Sequence, residues 1–451
     1  MRKNRVDLTT GPIFSKLLYF ALPIFMGTIV TQLYQVADSM IVGRFVNADA
    51  LAAVSAGSPI MNIINLFMIG MASGTGVIVA QHTGAKDIKA LQESINTIGF
   101  ITLVGAVGIS IIGLLLCRPI LSVLGTPDKI IRDSITYLTI IYIFNTGNMV
   151  YQMGNGILRG MGDSTWPFLF LLACSILNVI LDLFTVLVLD MGVFGVALAT
   201  GISQLISGVG VIIRINRGGY GVHLKVRGLK PIGHEARKIL SIGLPASIQN
   251  VGNTIAAMFV QSSVNFFGPS FIAANSIVTK VDDLVNIPIM ALSTALCTFV
   301  AQNMGLLQMD RIKKGINYCI ISLTVVGIGL CGILLTFRNQ FPKLFTAEPE
   351  VIAFASEGLS IMCFMCIFLG VDRCLVNAMR GAGKAVVPMI TAQFGAFSRI
   401  PLSYLLGVRM NSHRGIFYAL LIAAFLRMAA IGIYYYGGGW KKSVESFEKR
   451  T

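Results

Sequence analysis

The sequence predicts an all-α integral membrane protein of twelve transmembrane helices, arranged as two six-helix bundles. Three observations carry that prediction. Of 451 residues, 55% are apolar and 12% charged, and the mean hydropathy is +0.77, a composition foreign to a water-soluble globule. The apolar residues run in stretches of the roughly 20 residues that a helix needs to cross a bilayer, leaving no length for a large soluble domain. Short motifs of the first half recur once in the second, as in a duplicated architecture.

Apolar runs between polar or Gly/Pro punctuation place the first six spans at Lys16 to Val42, Leu51 to Gln81, Ile95 to Cys117, Ile135 to Leu158, Thr165 to Leu189 and Val193 to Ile213. The second six follow at Ile239 to Phe266, Phe271 to Val300, Ile316 to Phe337, Val351 to Met379, Ala385 to Val408 and Gly415 to Tyr436. An even count puts both termini on one side. With the termini cytoplasmic, 23 of the 35 Lys and Arg fall in inner segments and 8 in outer loops, the bias that cytoplasmic loops carry. The expected divisions are an N-terminal bundle over 1–213, a basic cytoplasmic linker over 214–238, and a C-terminal bundle with a short cytoplasmic tail over 239–451.

The net charge of +15 is explained by that loop bias, so no nucleic-acid partner is expected. The polar N-terminus leads into a full-length apolar stretch without a small-residue cleavage site, unlike a removable signal peptide. The eight cysteines lie in or at the edges of apolar stretches, as small hydrophobes do, and Cys363 and Cys366 stand in CxxC spacing without a nearby His. His82, His223, His234 and His413 read as separate loop residues without partners, so no enzyme centre and no resident cofactor are expected.

The repeat has a register of about 221 residues. Leu22-Pro23 recurs as Leu244-Pro245, and Leu51-Ala52-Ala53 as Ile272-Ala273-Ala274. Val79-Ala80-Gln81 with Gly84 recurs as Val300-Ala301-Gln302 with Gly305, and Arg159-Gly160-Met161-Gly162 with Pro167 as Arg380-Gly381-Ala382-Gly383 with Pro388. Six spans per half give both halves one orientation, so the repeat is parallel, about an axis along the membrane normal. Such halves are machinery for alternating access.

Several of these strings carry a family resemblance. Gln35-Val-Ala-Asp38-Ser-Met-Ile-Val-Gly43-Arg44 with Ala50-Leu-Ala-Ala-Val54 resembles the first-helix signature of the multidrug and toxic compound extrusion (MATE) family. Val79-Ala-Gln81 with Gly84-Ala-Lys86 is similar to that family as well, as is Leu158-Arg159-Gly160-Met-Gly162-Asp163. The resemblance covers essentially the whole chain. It implies two six-helix bundles arranged as a V, and an antiporter that exports amphipathic, often cationic drugs or metabolites in exchange for Na⁺ or H⁺.

Ionised side chains at membrane depth are costly and mark functional sites. The N-terminal half has two, Asp38 and Asp182. Asn178 precedes Asp182 by four residues, which puts amide and carboxylate on one helical face. Asp38, Asp182 and Thr200 lie roughly 6 to 11 Å below the outer ends of their spans, with Asn178 about one turn deeper. Two carboxylates, an amide and a hydroxyl make a hard-ligand set suited to Na⁺. The pair could equally hold a proton, since two buried carboxylates side by side do not both stay charged. A branch of the resembling family uses an Asp on helix one, an Asn and an Asp four apart on helix five and a Thr on helix six for coupling. Asp38, Asn178, Asp182 and Thr200 match that pattern.

The register moves Asn178 to Arg399, Asp182 to Ser403 and Asp38 to Phe259, so the second half does not duplicate the site, and coupling should be one-sided. That half has its own charges: Lys280, Asp282, Asp283, Asp372, Arg373, Arg399 and Arg427. Lys280 and Asp283 could neutralise each other, Asp372 could pair with an arginine, and Asp283 could attract a cationic substrate. Gln32, Gln35, Asn62, Asn65, Asn148, Gln152, Gln249, Asn253 and Asn286 should point into a cleft and away from lipid, so the candidate substrate cavity includes Gln35, Asn62, Asn148, Gln249, Asn253, Asp283 and Asp372. Gly70, Gly74 and Gly76 read as close-packing positions, and Pro23 as a kink in the helix that carries Asp38. The expected partners are small amphipathic organic molecules and the lipid bilayer of the cell membrane, and a monomer suffices. The alternative on the same architecture is a flippase or exporter of lipid-linked or other amphipathic metabolites, which would favour a basic cavity.

Overall fold

A computed structural model of the chain describes residues 5–46, 48–123, 125–225, 227 and 229–438. The first four residues of the basic arm and the tail from 439 lie outside them. Among the described residues the regular structure is entirely helical. The first half holds α1 (Ile13–Ile41), α2 (Ala48–Ala85), α3 (Ile88–Val123), α4 (Asp128–Gly160), α5 (Thr165–Leu183) and α6 (Gly192–Arg217). The second holds α7 (Gly233–Asn265), α8 (Pro269–Gly305), α9 (Met309–Phe337), α10 (Pro349–Met362), α11 (Met365–Gly381), α12 (Val386–Leu402) and α13 (His413–Tyr436).

Twelve rods result, because α10 and α11 are one expected span bent by 46°. The break at Cys363–Phe364 lacks the Gly or Pro that marks most kinks, so the sequence reads through it. Eight helices are long and apolar enough by themselves to cross a membrane. α4 and α7 are not among them, since their sequences are interrupted by buried polar groups such as Asn145, Asn148, Ser247 and Gln249.

The duplication is written in the backbone. Lys86 and Leu307 adopt φ of 57° and 56°, Asp190 and Asn411 φ of 50° and 49°, and Gly162 and Gly383 φ of 86° and 83°. Each pair keeps the 221-residue register. The Gly162 and Gly383 turns also share their hydrogen bonds: Gly162 N–H donates to Arg159 O and Gly383 N–H to Arg380 O, both at 2.9 Å. A left-handed residue just past a helix end is the usual way to turn the chain there.

The chain divides into two compact units, one of residues 1–7 and 22–247, the other of 8–21 and 248–451. In the first, small residues bring helices into close approach, as Gly70 and Gly74 were expected to do. A Cβ on Gly70 would sit 2.3 Å from the Ser247 nitrogen, and one on Gly74 2.5 Å from the Gly243 nitrogen. The basic segment after α6 is held to helices of its own unit. Asn216 and Leu224 exchange hydrogen bonds of 3.1 and 2.6 Å, and Gln92 of α3 does the same with His223 at 2.7 and 2.8 Å.

The histidines depart from the reading as isolated loop residues. Glu235, at the start of α7 and only 1% exposed, meets His82 Nε2 at 3.1 Å, Ser94 Oγ at 2.5 Å and Lys238 Nζ at 2.8 Å. Burial opposes ionisation of Glu235, but hydrogen bonds from His82, Lys238 and Ser94 prevail and hold its carboxyl down at about 2. His413 likewise meets Glu357 at 2.8 Å. Sequence spacing could not find these partners, which lie 153 and 56 residues away.

In the second unit Arg311 Nη1 and Nη2 donate to Gly11 O and Thr10 O at 2.9 and 2.8 Å, and Leu8 N–H donates to Gln302 Oε1 at 3.2 Å. The approach to α1 is thereby tied to α8 and α9.

Candidate functional site

Asp38 stands in the last turn of α1, directly before a π-helical turn at Val42–Val46, and Asp182 ends α5 before another at Phe184–Val188. A π turn widens the helix locally and re-aims the side chains beside it. The two wide turns share a small apolar cluster of Val42, Ala50, Val54, Val186, Val193 and Val196.

The structure brings Asp38 and Asp182 within hydrogen-bonding reach of each other. Asp182 is fully buried and Asn178 2% exposed. The Asn178 amide spans the gap to α6. With its nitrogen toward Asp182 Oδ2 at 2.9 Å, its oxygen accepts from the Thr200 backbone N–H at 3.1 Å and faces the Thr200 hydroxyl at 3.3 Å. The opposite orientation would set like groups against each other, so this one satisfies both ends. Asp38, Asn178, Asp182 and Thr200 therefore form one constellation from α1, α5 and α6.

Asp38 Oδ1 and Asp182 Oδ1 are both buried and have no hydrogen-bond partner among the described residues. Two carboxyl groups this close need a proton or a small cation between them. Two carboxylates, an amide and a hydroxyl are all hard oxygen donors, and no cluster of three or more His, Cys, Asp or Glu suited to a metal exists among the described residues.

Sequence reading missed two neighbours, Tyr34 of α1 and Tyr137 of α4, which lie within electrostatic range of both carboxyls. Tyr34 lies one turn from Asp38, a spacing that could have revealed it. Tyr137 comes from a different helix and left no such signal.

The cavity candidates scatter. Gln35, Asn62 and Asp283 are exposed, and Gln32, Gln152 and Asn253 are partly buried. Asn148 donates to Asn65 Oδ1 at 2.8 Å between α4 and α2. Gln249 and Asp372 belong instead to the interior of the second unit, each held by an arginine. Arg380 Nη2 donates to Gln249 Oε1 at 2.7 Å, and Arg427 Nη2 lies 2.6 Å from Asp372 Oδ2, with the two side chains 2% and 0% exposed. Asn286 donates to Asp282 Oδ2 at 2.9 Å. Lys280 lies over the Phe345 ring at 5.8 Å, and no ion pair joins it to Asp283 among the described residues.

Comparison with known proteins gives one consistent result. The family model described as MatE matches residues 23–184 and again residues 245–405. The probable multidrug resistance protein YoeA of Bacillus subtilis is 28% identical over 87% of each chain. An FAD transporter of Shewanella oneidensis is 25% identical over 80% of each. A solved outward-facing multidrug resistance MATE family transporter superposes with a TM-score of 0.89 at 21% identity, over 100% of this chain and 99% of that one.

Proposed function

The chain belongs to the MatE family, and from that premise we propose that it is a secondary active antiporter exporting amphipathic organic compounds in exchange for Na⁺ or H⁺. The observation that carries this reading is the pair of half-buried Asp38 and fully buried Asp182, each with a buried oxygen left without a partner among the described residues. Entry of a proton or cation removes the repulsion between the carboxyls and changes what α1 and α5 can pack against. The neighbouring π turns are the places where that change can be absorbed. Coupling runs through the first half alone, with Asn178 and Thr200 holding Asp182 in place.

Multidrug and FAD-transporting relatives support small organic or amphipathic metabolite cargo. The excess of Lys and Arg in alternate loops supports a multi-pass protein of the cell membrane with both termini cytoplasmic, working as a monomer and without a cofactor. Two bundles that rock against each other would give alternating access.

The test is efflux of a fluorescent lipophilic cation from proteoliposomes under an imposed Na⁺ gradient or an imposed pH gradient. The native chain should respond to one gradient. Asp38→Asn and Asp182→Asn should each lower the gradient-driven rate at least about tenfold, the scale on which loss of an essential ionisable group is felt. Equal rates in all three proteins would remove the coupling assignment.

A further inference from the structure

The second unit holds more positive than negative charge at depth. Arg373 of α11, Arg399 of α12 and Arg427 of α13 stand at least two helical turns from either end of their rods. They act electrostatically on one another and on Asp372, and Arg399 also on Asp282. Among the described residues one direct ion pair is made, Arg427 with Asp372. Asp282 is tied to Asn286 and faces Arg373 and Arg399 without a direct ion pair. Three guanidinium groups thus meet two carboxylates, and Arg380 brings a fourth positive charge to the same interior. Guanidinium does not shed its proton, so this excess is permanent.

Hydrogen bonding gives a second, independent sign. The Nε atoms of Arg373, Arg399 and Arg427 are buried and have no hydrogen-bond partner among the described residues. The Arg427–Asp372 ion pair leaves Arg427 Nη2 and both Asp372 oxygens without hydrogen-bond geometry as well, so donors outnumber acceptors in the cluster. Buried donors are nearly always satisfied, and exceptions mark sites completed by something else. The backbone accommodates the arrangement, since a Cβ on Gly395 would sit 2.5 Å from Arg427 Cβ and 3.2 Å from its Cδ. The missing side chain at Gly395 lets the Arg427 stem lie against α12.

An added acceptor bearing negative charge would satisfy the donors and balance the charge together. A planar guanidinium fork matches the paired oxygens of phosphate and carboxylate. We propose that Arg373 and Arg399, backed by Arg427, form a receptor for an oxyanion of the transported amphiphile, a phosphate ester or carboxylate. The chain would then export anionic or zwitterionic amphiphiles as well as cations. This rests on the export reading above and adds to it the polarity of the cargo.

The probes are flavin mononucleotide and riboflavin, which share the isoalloxazine and ribityl groups and differ by one phosphate. Binding to the full chain in phosphatidylcholine nanodiscs is read by fluorescence anisotropy, with no ion gradient. The mononucleotide should bind at least about tenfold more tightly. Arg399→Gln and Arg373→Gln, which leave the Arg427–Asp372 pair in place, should each cut that preference below about threefold with riboflavin affinity unchanged. Equal affinities in the native chain, or a preference that survives both substitutions, would overturn the proposal. Loss of the preference when phosphatidylglycerol is added would assign the oxyanion to a lipid headgroup and overturn the cargo assignment. Gradient-driven cation efflux that persists alongside any of these failures would leave the antiport reading standing, so the two fail separately.

Discussion

Asp38 and Asp182 set an energetic problem that neither can solve alone. Two like charges about 4 Å apart repel by about 4 kcal/mol at an effective dielectric constant of 20, a repulsion that a shared proton or small cation would remove, as the proposed antiport requires. Glu235 is the opposite case, a carboxylate whose neighbours want it charged. Its folded value of about 2 lies below the ordinary 4.5, so its contribution is fully present above about pH 4.5 and is lost as pH falls toward 2. The shift corresponds to about 3 kcal/mol at most. Glu235→Gln should therefore lower the melting temperature of the detergent-solubilised protein at pH 7, with the gap to the native chain closing as pH is taken from 5 toward 3. A gap that stayed constant across that range would mean that packing, rather than the charge of Glu235, holds α2, α3 and α7 together there.

At the scale of the helix, the polar interruptions that lower the hydropathy of α4 and α7 become the internal contacts of their units, such as Asn148 with Asn65. The Asp372–Arg427 pair between α11 and α13 works the same way. Removing one partner from a buried pair strands the other, at a cost of about 3 to 5 kcal/mol, whereas removing both is close to neutral. Arg427→Met alone should destabilise the protein strongly in thermal unfolding, and Asp372→Leu with Arg427→Met should recover most of the loss. Additive losses in the double variant would show that the two side chains serve separate structures. Helix identity was legible in the sequence because the apolar periods are long. In the N-terminal constellation Asn178 and Asp182 share a face by spacing, while Asp38 and Thr200 were placed by their depth along the spans and by the family resemblance. The 46° bend between α10 and α11 was not legible, since Cys363 and Phe364 are as apolar as their neighbours. The Glu235 and Glu357 contacts were equally hidden, because they depend on helices meeting across more than fifty residues of chain.

For the whole molecule, duplication fixed the scaffold and left the chemistry free to diverge. The left-handed turns at Lys86, Gly162 and Asp190 return at Leu307, Gly383 and Asn411, and the π turn after Asp182 has its counterpart at Ser403–Arg409. The residue in the register of Asp182 is Ser403, fully buried with its hydroxyl 3.2 Å from that of Ser263. Two hydroxyls hold no charge, and Arg399 one turn away replaces the amide of Asn178 with a fixed cation. A driving ion bound in the second half would have to enter a region that is already net positive. Coupling through one half alone predicts that initial export rate rises with the concentration of the driving ion with a Hill coefficient near 1, and that Asp38→Asn leaves no second, lower-affinity phase. Rates measured in proteoliposomes over a thousandfold range of that ion would decide the matter. A coefficient approaching 2, or a residual phase in Asp38→Asn that disappears on further substitution of Asp282, would place a second driving site among the arginines and contradict the charge argument.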